Sequence, residues 1–215
     1  MSNSTSSKSR ASADRNAGET PEVGAILHAL IPGIQTALAD NLVGIYLRGS
    51  LATGDFMETS DIDFLVATER PGSETEAEAR IALHARLAAL PNPYADRLEG
   101  AYIDRASLRR FEPGRRFLTV QCETPLRWKV HETSWLIERY VLRERGVTLL
   151  GPDAKTLIDP ISPEELRDAV RRRIRERATW AANRTTRNGS RRAATRPTSS
   201  RLCAARCTRW LSANS

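Results

Sequence analysis

Cysteine, long apolar runs and C-terminal acidic residues are all scarce in this 215-residue chain. The three cysteines, Cys122, Cys203 and Cys207, are too few for a disulfide framework. Cys203 and Cys207 have no neighbouring histidine or second cysteine pair, so a zinc site is not expected. No apolar run of about 18 residues stands out, which predicts no membrane span. Because residues 1–20 also lack the apolar core of a signal peptide, we expect a cytoplasmic protein.

The missing acidic residues change the meaning of the net charge of +7. Residues 178–215 contain eight arginines and no acidic side chain, whereas the first 177 residues carry 25 basic and 26 acidic side chains. A tail of Arg, Thr, Ser and Ala without a hydrophobic period is typical of a solvated, disordered segment. We therefore expect weak, salt-sensitive association with nucleic acid at most, and no specific binding.

The most informative stretch is Gly49-Ser50, ten further residues, and then Asp61-Ile62-Asp63. Apolar runs at 42–47 and 64–66 flank it. Side chains at i and i+2 of a strand share a face, so the two aspartates present neighbouring carboxylates, which suit Mg²⁺. A glycine allows close approach of a phosphate to the backbone, and a serine adds a hydroxyl donor. Asp is also common in turns before strands, so the Asp-x-Asp pair alone would be a weak pattern.

This pattern resembles the signature of the DNA polymerase β-like nucleotidyltransferases. The longer stretch from Tyr46 to Val66 is similar to the aminoglycoside adenylyltransferases of the streptomycin and spectinomycin type. The resemblance implies Mg²⁺ held by Asp61 and Asp63, with ATP as the co-substrate. It also implies a phosphate-binding role for Gly49, Ser50 and Ser60. For Ser60 the alternative is that its hydroxyl only caps the turn.

Glu99 is the candidate third carboxylate, on a strand predicted at 98–103. The resemblance implies that it lies beside Asp61 and Asp63 and acts as the general base toward the attacking sugar hydroxyl. The alternative is a surface acid on an edge strand. Trp128 and Trp135 either border a sugar pocket or serve packing. The three histidines, in separate predicted helices or helix ends, form no metal set and are assigned to packing or the surface.

Hydrophobic periodicity predicts an α+β fold, with a small mixed sheet and helices packed against it. Pro32 is expected to kink or divide the first helix. A further strand around 117–122 remains open within the ambiguous segment 111–123, and the helical pattern is lost after residue 177. The predicted helices span 23–38, 74–90, 133–145 and 163–177, and the predicted strands or extended segments span 42–47, 62–67, 98–103 and 147–150.

The predicted domain organisation has four parts. Residues 1–20 are a disordered arm, 21–150 the nucleotidyltransferase domain, 151–177 a linker with the first helix of a C-terminal helical domain, and 178–215 the disordered Arg-rich tail. The resemblance implies a longer helical domain at the point where the composition changes. We hypothesise that the tail is a frameshift product, since reading its degenerate codons from the third base accommodates an apolar helix. Loss of that domain is expected to impair acceptor alignment more than nucleotide binding.

These expectations converge on Mg²⁺-dependent transfer of AMP from ATP to a hydroxyl of an aminoglycoside-type antibiotic, with release of pyrophosphate. Such an activity would confer antibiotic resistance. Two alternatives remain open: a nucleotidyltransferase that modifies a protein partner, as in toxin–antitoxin pairs, and a non-enzymatic nucleic-acid-binding protein acting through its tail. The lead-in at 151–160 favours the small-molecule acceptor, because a minimal protein-modifying enzyme would end sooner.

Overall fold

The computed structural model describes residues 20–122 and 124–187, and for residues 182–187 it describes the backbone only. Its centre is a six-stranded mixed sheet with the order β5-β4-β3-β2-β1-β6. Only β2 and β3 are parallel to each other; the remaining neighbours pair antiparallel. The strands are β1 (Leu42–Leu47), β2 (Ile62–Thr68), β3 (Leu98–Asp104), β4 (Arg116–Gln121), β5 (Thr124–Val130) and β6 (Val147–Leu150).

Helices cover both faces of this sheet. The two longest helices of the first half, α1 and α3, pack on one face, and α4, α5 and α6 pack on the other, with α7 against α5. The helices are α1 (Pro21–Leu38), α2 (Gly49–Thr53), α3 (Glu74–Ala88), α4 (Arg105–Arg109), α5 (Ser134–Arg145), α6 (Ala154–Leu157) and α7 (Pro163–Arg187). This arrangement confirms the predicted α+β class.

The alternation of β2 explains why both faces are covered. Ile62, Phe64 and Val66 point into the core formed with α1 and α3, whereas Leu65 and Ala67 point into the second core. All seven residues of β2 are buried. Burial of both faces explains the continuous apolar run that follows Asp63, since a strand covered on both sides needs apolar residues at every position.

Two helix starts follow their sequence signals. Ser73 caps α3 and forms a capping box with Glu76. Ser162 and Glu165 form the reciprocal bonds at the start of α7: the Glu165 amide donates to the Ser162 hydroxyl, and the Ser162 amide donates to the Glu165 carboxylate. Each bond satisfies a backbone N–H that the helix itself leaves without a partner. The predicted start of α7 at Ser162-Pro163 is therefore confirmed.

The sequence-based assignment differs from the structure at several elements, and the short helices α2, α4 and α6 were not predicted. The open segment forms β4 and is followed by β5, which was not predicted. Pro32 does not divide α1, which is a single helix of 18 residues. Helix α7 continues to Arg187, so residues 178–187 of the predicted disordered tail are helical. Residues 1–19 of the predicted arm and 188–215 of the tail lie outside the described residues.

Helix α1 also corrects the expectation about apolar length. Among the described residues, Pro21–Asn41 is long and apolar enough to cross a membrane by length and composition. In the structure, six of its apolar side chains are buried in the core that it shares with α3 and the sheet: Val23, Ile26, Leu27, Leu30, Ile34 and Leu38. We interpret α1 as a core helix, because its apolar face already has a protein partner.

The segment that follows the sheet packs closely on it. The Tyr46 hydroxyl donates a hydrogen bond to the Pro152 carbonyl at 2.9 Å, and the Arg143 guanidinium donates to the carbonyls of Lys155 and Ile158. Leu157 and Ile158 are buried in the second core. Residues 151–158, assigned to a linker from the sequence, are therefore an integral part of the packed structure.

Replacing Pro32 by Ala should stabilise the protein. Pro32 is exposed within α1 and lacks the N–H that would bond the carbonyl four residues earlier. We expect a gain of about 1–2 kcal/mol in the free energy of unfolding, measured by urea denaturation. Gly24→Ala, at an open position of the same helix, is the matched control and should gain about 1 kcal/mol. A lower free energy of unfolding in Pro32→Ala, together with the expected gain in Gly24→Ala, would contradict this interpretation.

Candidate active site

Three carboxylates lie together where the central strands β2 and β3 begin. Asp63 on β2 is directly opposite Glu99 on the parallel strand β3, so both side chains project from the same face. Asp61 lies two residues before Asp63, immediately outside β2. Strand β1 is antiparallel to β2 and ends beside the start of β2, where the Arg48 amide donates to the Asp63 carbonyl at 3.0 Å. The chain then continues into Gly49-Ser50, which begin α2.

The three carboxylates do not have the same neighbours. One oxygen of Asp61, one oxygen of Glu99 and the sulfur of Cys122 all lie within 4.8 Å of one another. Asp63 has a different environment, because its Oδ1 lies 3.2 Å from the Arg48 guanidinium. The structure therefore brings Asp61 together with Glu99, and Asp63 lies next to them in an ion pair.

Gly49 is required by the packing around Asp63. A Cβ atom at this position would collide with Oδ2 of Asp63, and the backbone has φ +65°, a left-handed conformation that side chains disfavour. The turn into α2 thus lies directly against a carboxylate of the site. This contact gives a physical reason for the glycine that is independent of any bound phosphate.

Arg48 and Glu138 are site residues that the sequence analysis missed. The buried Arg48 guanidinium bridges Asp63 at 3.2 Å and Glu138 on α5 at 2.6 Å. A signal for Glu138 existed in the sequence: it lies three residues after Trp135 and four before Leu142, on the face that α5 turns toward the sheet. A carboxylate on the apolar face of a helix needs a partner, and Arg48 is that partner.

The carboxylates of the site are crowded, and their pKa values reflect it. Burial raises the pKa of Asp63 to about 7; Arg48 opposes this effect, while Glu99, Glu138 and Asp61 add to it. Burial likewise raises the pKa of Glu99, again opposed by Arg48. Negative charge is thus in excess at the site. The hard oxygen ligands and the excess charge fit a divalent cation such as Mg²⁺.

Ser60 and Ser50 lie on either side of the loop between β1 and β2. The Ser60 hydroxyl accepts a hydrogen bond from the Met57 amide at 3.0 Å, which is the turn-capping role. This hydroxyl can still donate its own hydrogen to another group. Ser50 lies in the short helix α2, next to Gly49. Phosphate binding by these two serines stays a prediction.

The two tryptophans lie on opposite faces of the sheet. Trp135 stacks on His131 with ring centroids 3.6 Å apart, and the Arg48 guanidinium lies 5.8 Å from the Trp135 ring. Trp128 pairs with Leu118, whose side chain belongs to the core on the α1 and α3 side, and it is 48% exposed. Only Trp135 is near the carboxylates, so Trp128 does not border the same site.

Two of the three histidines are buried, deeper than the expected surface or core-edge positions. His84 lies 2.9 Å from the Tyr102 hydroxyl, and His131 lies 2.9 Å from the Thr119 hydroxyl. Burial lowers the pKa of His84 to about 4 and that of His131 to about 3, so both rings are neutral at pH 7. His28 is exposed on α1. Their surroundings are those of packing residues.

Comparison with known proteins agrees with this geometry. Residues 33–111 match the family model described as a nucleotidyltransferase domain. This stretch contains β1 to β3 and every carboxylate predicted from the motif. The chain therefore carries a nucleotidyltransferase domain, and the resemblance to DNA polymerase β-like nucleotidyltransferases is confirmed at this level. No curated protein sequence matches the chain significantly.

Among solved structures, the fold is similar to that of the spectinomycin adenyltransferase AAD(9) from Enterococcus faecialis, determined with ATP and spectinomycin. The TM-score is 0.56 at 17% identity, over 68% of this chain and 64% of that one. The chain thus spans less than two thirds of that protein, and the likeness concerns the fold. A toxin–antitoxin structure with AMP-PNP matches with a TM-score of 0.34 and 18% identity, over 74% of this chain and 95% of that one. A TM-score this low does not establish a common fold.

Substitution of Gly49 should damage the site more than the fold. We expect Gly49→Ala to lower Mg²⁺ affinity at least about tenfold, because the new methyl group displaces a carboxylate of the site. Gly54→Ala is the control: φ is +77°, and its Cβ would meet open space. Both variants should lose about 1 kcal/mol of stability from backbone strain. Isothermal titration with Mg²⁺ separates them, and equal affinities would contradict the proposed contact.

The pKa of Asp63 predicts how stability depends on pH without metal. Its pKa rises from 3.8 to about 7 on folding, so the folded state binds the proton more tightly. The resulting stability is complete below about pH 4 and is lost as the pH rises through 7, by up to about 1.4 kcal/mol per unit. Urea unfolding in EDTA between pH 5 and 8 should therefore show Asp63→Asn gaining on the parent protein. Parallel pH profiles for the two proteins would contradict this assignment.

Proposed function

We propose that the protein is a Mg²⁺-dependent nucleotidyltransferase that moves AMP from ATP to a hydroxyl acceptor. The observation that carries the proposal is the parallel pairing of Asp63 with Glu99, with Asp61 beside them and Gly49-Ser50 after the adjacent end of β1. Phosphoryl and nucleotidyl transfer require clustered carboxylates for a cation and a close backbone turn for phosphates. The matched nucleotidyltransferase domain supports the reaction class.

Asp61 and Asp63 are the residues proposed to hold Mg²⁺. When bound, the ion would neutralise phosphate charge on the nucleotide and on the leaving pyrophosphate. Arg48 acts as a positioning residue, since its ion pair with Asp63 fixes that carboxylate against β1 and α5. Asp63 is buried, so its orientation depends on Arg48 and on the packing of Gly49.

Glu99 is proposed as the general base. Its pKa is raised by burial, which makes it a better proton acceptor near neutral pH than an exposed carboxylate. In the proposed reaction Glu99 takes the proton of the acceptor hydroxyl, and the oxygen attacks the α-phosphorus of ATP. The bond between the α-phosphorus and the bridging oxygen breaks, and pyrophosphate leaves. Gly49, Ser50 and Ser60 are proposed to contact the phosphates.

The acceptor is assigned less directly than the reaction. An aminoglycoside-type hydroxyl is the expectation from the sequence resemblance, and the fold likeness to a spectinomycin adenyltransferase is compatible with it. The protein acceptor and the tail-mediated nucleic-acid binding have no support among the described residues. Antibiotic resistance and a cytoplasmic location remain predictions.

The central test is substitution of the carboxylates. Asp61→Asn, Asp63→Asn and Glu99→Gln should each lower pyrophosphate release from Mg-ATP, with streptomycin or spectinomycin as the acceptor, by at least about 100-fold. Indirect disturbance of metal ligands already costs about 10–100-fold, so direct removal should cost more. Asp55→Asn, in the exposed loop of the same motif, is the control.

Binding measurements separate the reaction class from the acceptor. Isothermal titration with Mg-ATP should show weaker binding in Asp61→Asn and Asp63→Asn, but not in Glu99→Gln or Asp55→Asn. Nucleotide binding without drug-dependent pyrophosphate release would reject the drug and leave the nucleotide site intact. Full transfer by Asp61→Asn or Asp63→Asn would reject the metal site itself.

A further inference from the structure

Basic side chains lie on the side of Glu99 that is remote from Gly49-Ser50. In the sheet, β1 with its following turn lies on one side of the β2–β3 pair, and β4 and β5 lie on the other. Lys129 and Arg127 of β5 pair with Phe117 and Thr119 of β4. Because Thr119 in turn pairs with Ala101, two residues after Glu99, these basic residues share the face of the carboxylates.

Lys129 is half-buried and electrostatically close to Glu99. Burial lowers its pKa; Glu99 opposes this effect, and Arg127 and Arg173 add to it. Within residues 20–122 and 124–187, no carboxylate lies in ion-pair distance of the Lys129 ammonium or the Arg127 guanidinium. Lys129 and Arg127 thus share one face of the sheet without an ion pair among these residues, and Glu99 is the carboxylate whose charge acts on Lys129.

Helix α7 contributes the third cation. Ala169 is buried, and Arg173, one turn later, is half-buried on the same face of the helix. The Arg173 guanidinium lies 3.9 Å from Glu176 of the same helix, a distance at the limit of an ion pair between partly exposed groups. We call Lys129, Arg127 and Arg173 the basic wall. It extends from the edge strand β5 to α7.

We propose that the basic wall binds an anionic group of the acceptor, a phosphate or a carboxylate, beside the hydroxyl that Glu99 activates. This inference rests on the proposed function, because Glu99 marks where the acceptor hydroxyl lies. Like charges repel one another, more strongly where they are partly desolvated, as at Lys129 and Arg173, than at the exposed Arg127, and an anion relieves that repulsion. A polycationic aminoglycoside would add to it. The acceptor class is therefore an anionic hydroxyl compound, such as a sugar phosphate, in preference to the drug.

The triphosphate of ATP is the alternative source of an anion, and its position argues against it. The turn proposed to hold the phosphates follows β1, whereas Lys129 lies on β5, with β2, β3 and β4 between them. Adjacent strands are about 4.8 Å apart. The turn after β1 and the Lys129 backbone on β5 are therefore separated by about four such spacings, roughly 19 Å. The basic wall and the turn thus flank the carboxylates from opposite sides.

The scarcity of lysine allows a direct binding test. The full chain has three lysines, Lys8, Lys129 and Lys155, so reductive ¹³C-methylation gives three lysine signals that Lys→Arg variants assign. The protein is first saturated with Mg²⁺ and α,β-methylene-ATP to fill the triphosphate site. Glucose 6-phosphate, glucose and glucosamine are then titrated as anionic, neutral and cationic probes of similar shape.

We expect a saturable shift of the Lys129 signal with glucose 6-phosphate, with a dissociation constant at least about tenfold lower than that for glucose or glucosamine. The Lys155 signal should not move. The Lys129 variants lack that signal, so their binding is measured by isothermal titration of the unlabelled protein: Lys129→Met should abolish the preference, Lys129→Arg should keep it, and Lys155→Met is the matched control. Retention of the full preference in Lys129→Met would overturn the proposal.

Further outcomes assign the anion or reject it. If the Lys129 signal moves on addition of the nucleotide analogue and does not respond to glucose 6-phosphate, the wall binds the triphosphate and the proposal is wrong. Equal or tighter binding of glucosamine, or efficient transfer to streptomycin unaffected by Lys129→Met, would also overturn it. These readouts need no turnover with the sugars, so they remain informative if the carboxylate variants reject nucleotidyl transfer.

Discussion

The parallel pairing of β2 with β3 is the constraint on which the site depends. It sets Asp63 and Glu99 side by side in register, at strand starts where both carboxylates are partly or wholly removed from water. Two like charges at this distance destabilise the folded state unless a cation or a proton is present. The remaining features of the site follow from that repulsion between the two carboxylates. They include Arg48 against Asp63, the raised pKa values and the suitability for a divalent cation.

Arg48 and Glu138 link the carboxylates of the site to the rest of the fold. Arg48 follows β1 and Glu138 lies on α5. Their ion pair therefore holds α5 against the sheet face that carries Asp63 and Glu99. The Arg48 guanidinium is buried, so removal of its carboxylate partners would leave a buried charge that is not compensated. The packing of Trp135 on His131 supports the same helix. The orientation of Asp63 and the attachment of α5 are thus parts of one network.

The charge of the molecule is distributed in a way that its net value hides. Carboxylates gather where β2 and β3 begin, while Lys129, Arg127 and Arg173 stand beyond them on β5 and α7. Helix α7 packs on α5, so a helix from the segment assigned to the second domain contributes to the surroundings of the first. The basicity is therefore not confined to the tail, because Lys129 and Arg173 are half-buried in the body of the protein and Arg127 is exposed beside Lys129.

Local patterns in the sequence predicted much of the architecture and the residues of the candidate site. The apolar runs at 42–47 and 64–66, the capping signals at Ser73 and Ser162, and the spacing from Gly49 to Asp63 are all local features of the sequence. Such short-range signals predicted β1, β2, the start of α7 and the motif carboxylates. The α+β class followed from the same periodicities, because a buried strand and an amphipathic helix each require a packing partner.

Only the tertiary structure decided what depends on distant contacts. Arg48 and Glu138 are 90 residues apart, so no local pattern joins them. Residues 126–130 of the edge strand β5 alternate between apolar and polar side chains, but only the sheet register shows that Lys129 shares the face of Glu99. The same register turns Asp63 toward Arg48 and leaves Asp61 with Glu99. The motif identifies the candidate carboxylates, but burial and charge from other elements determine what each one contacts.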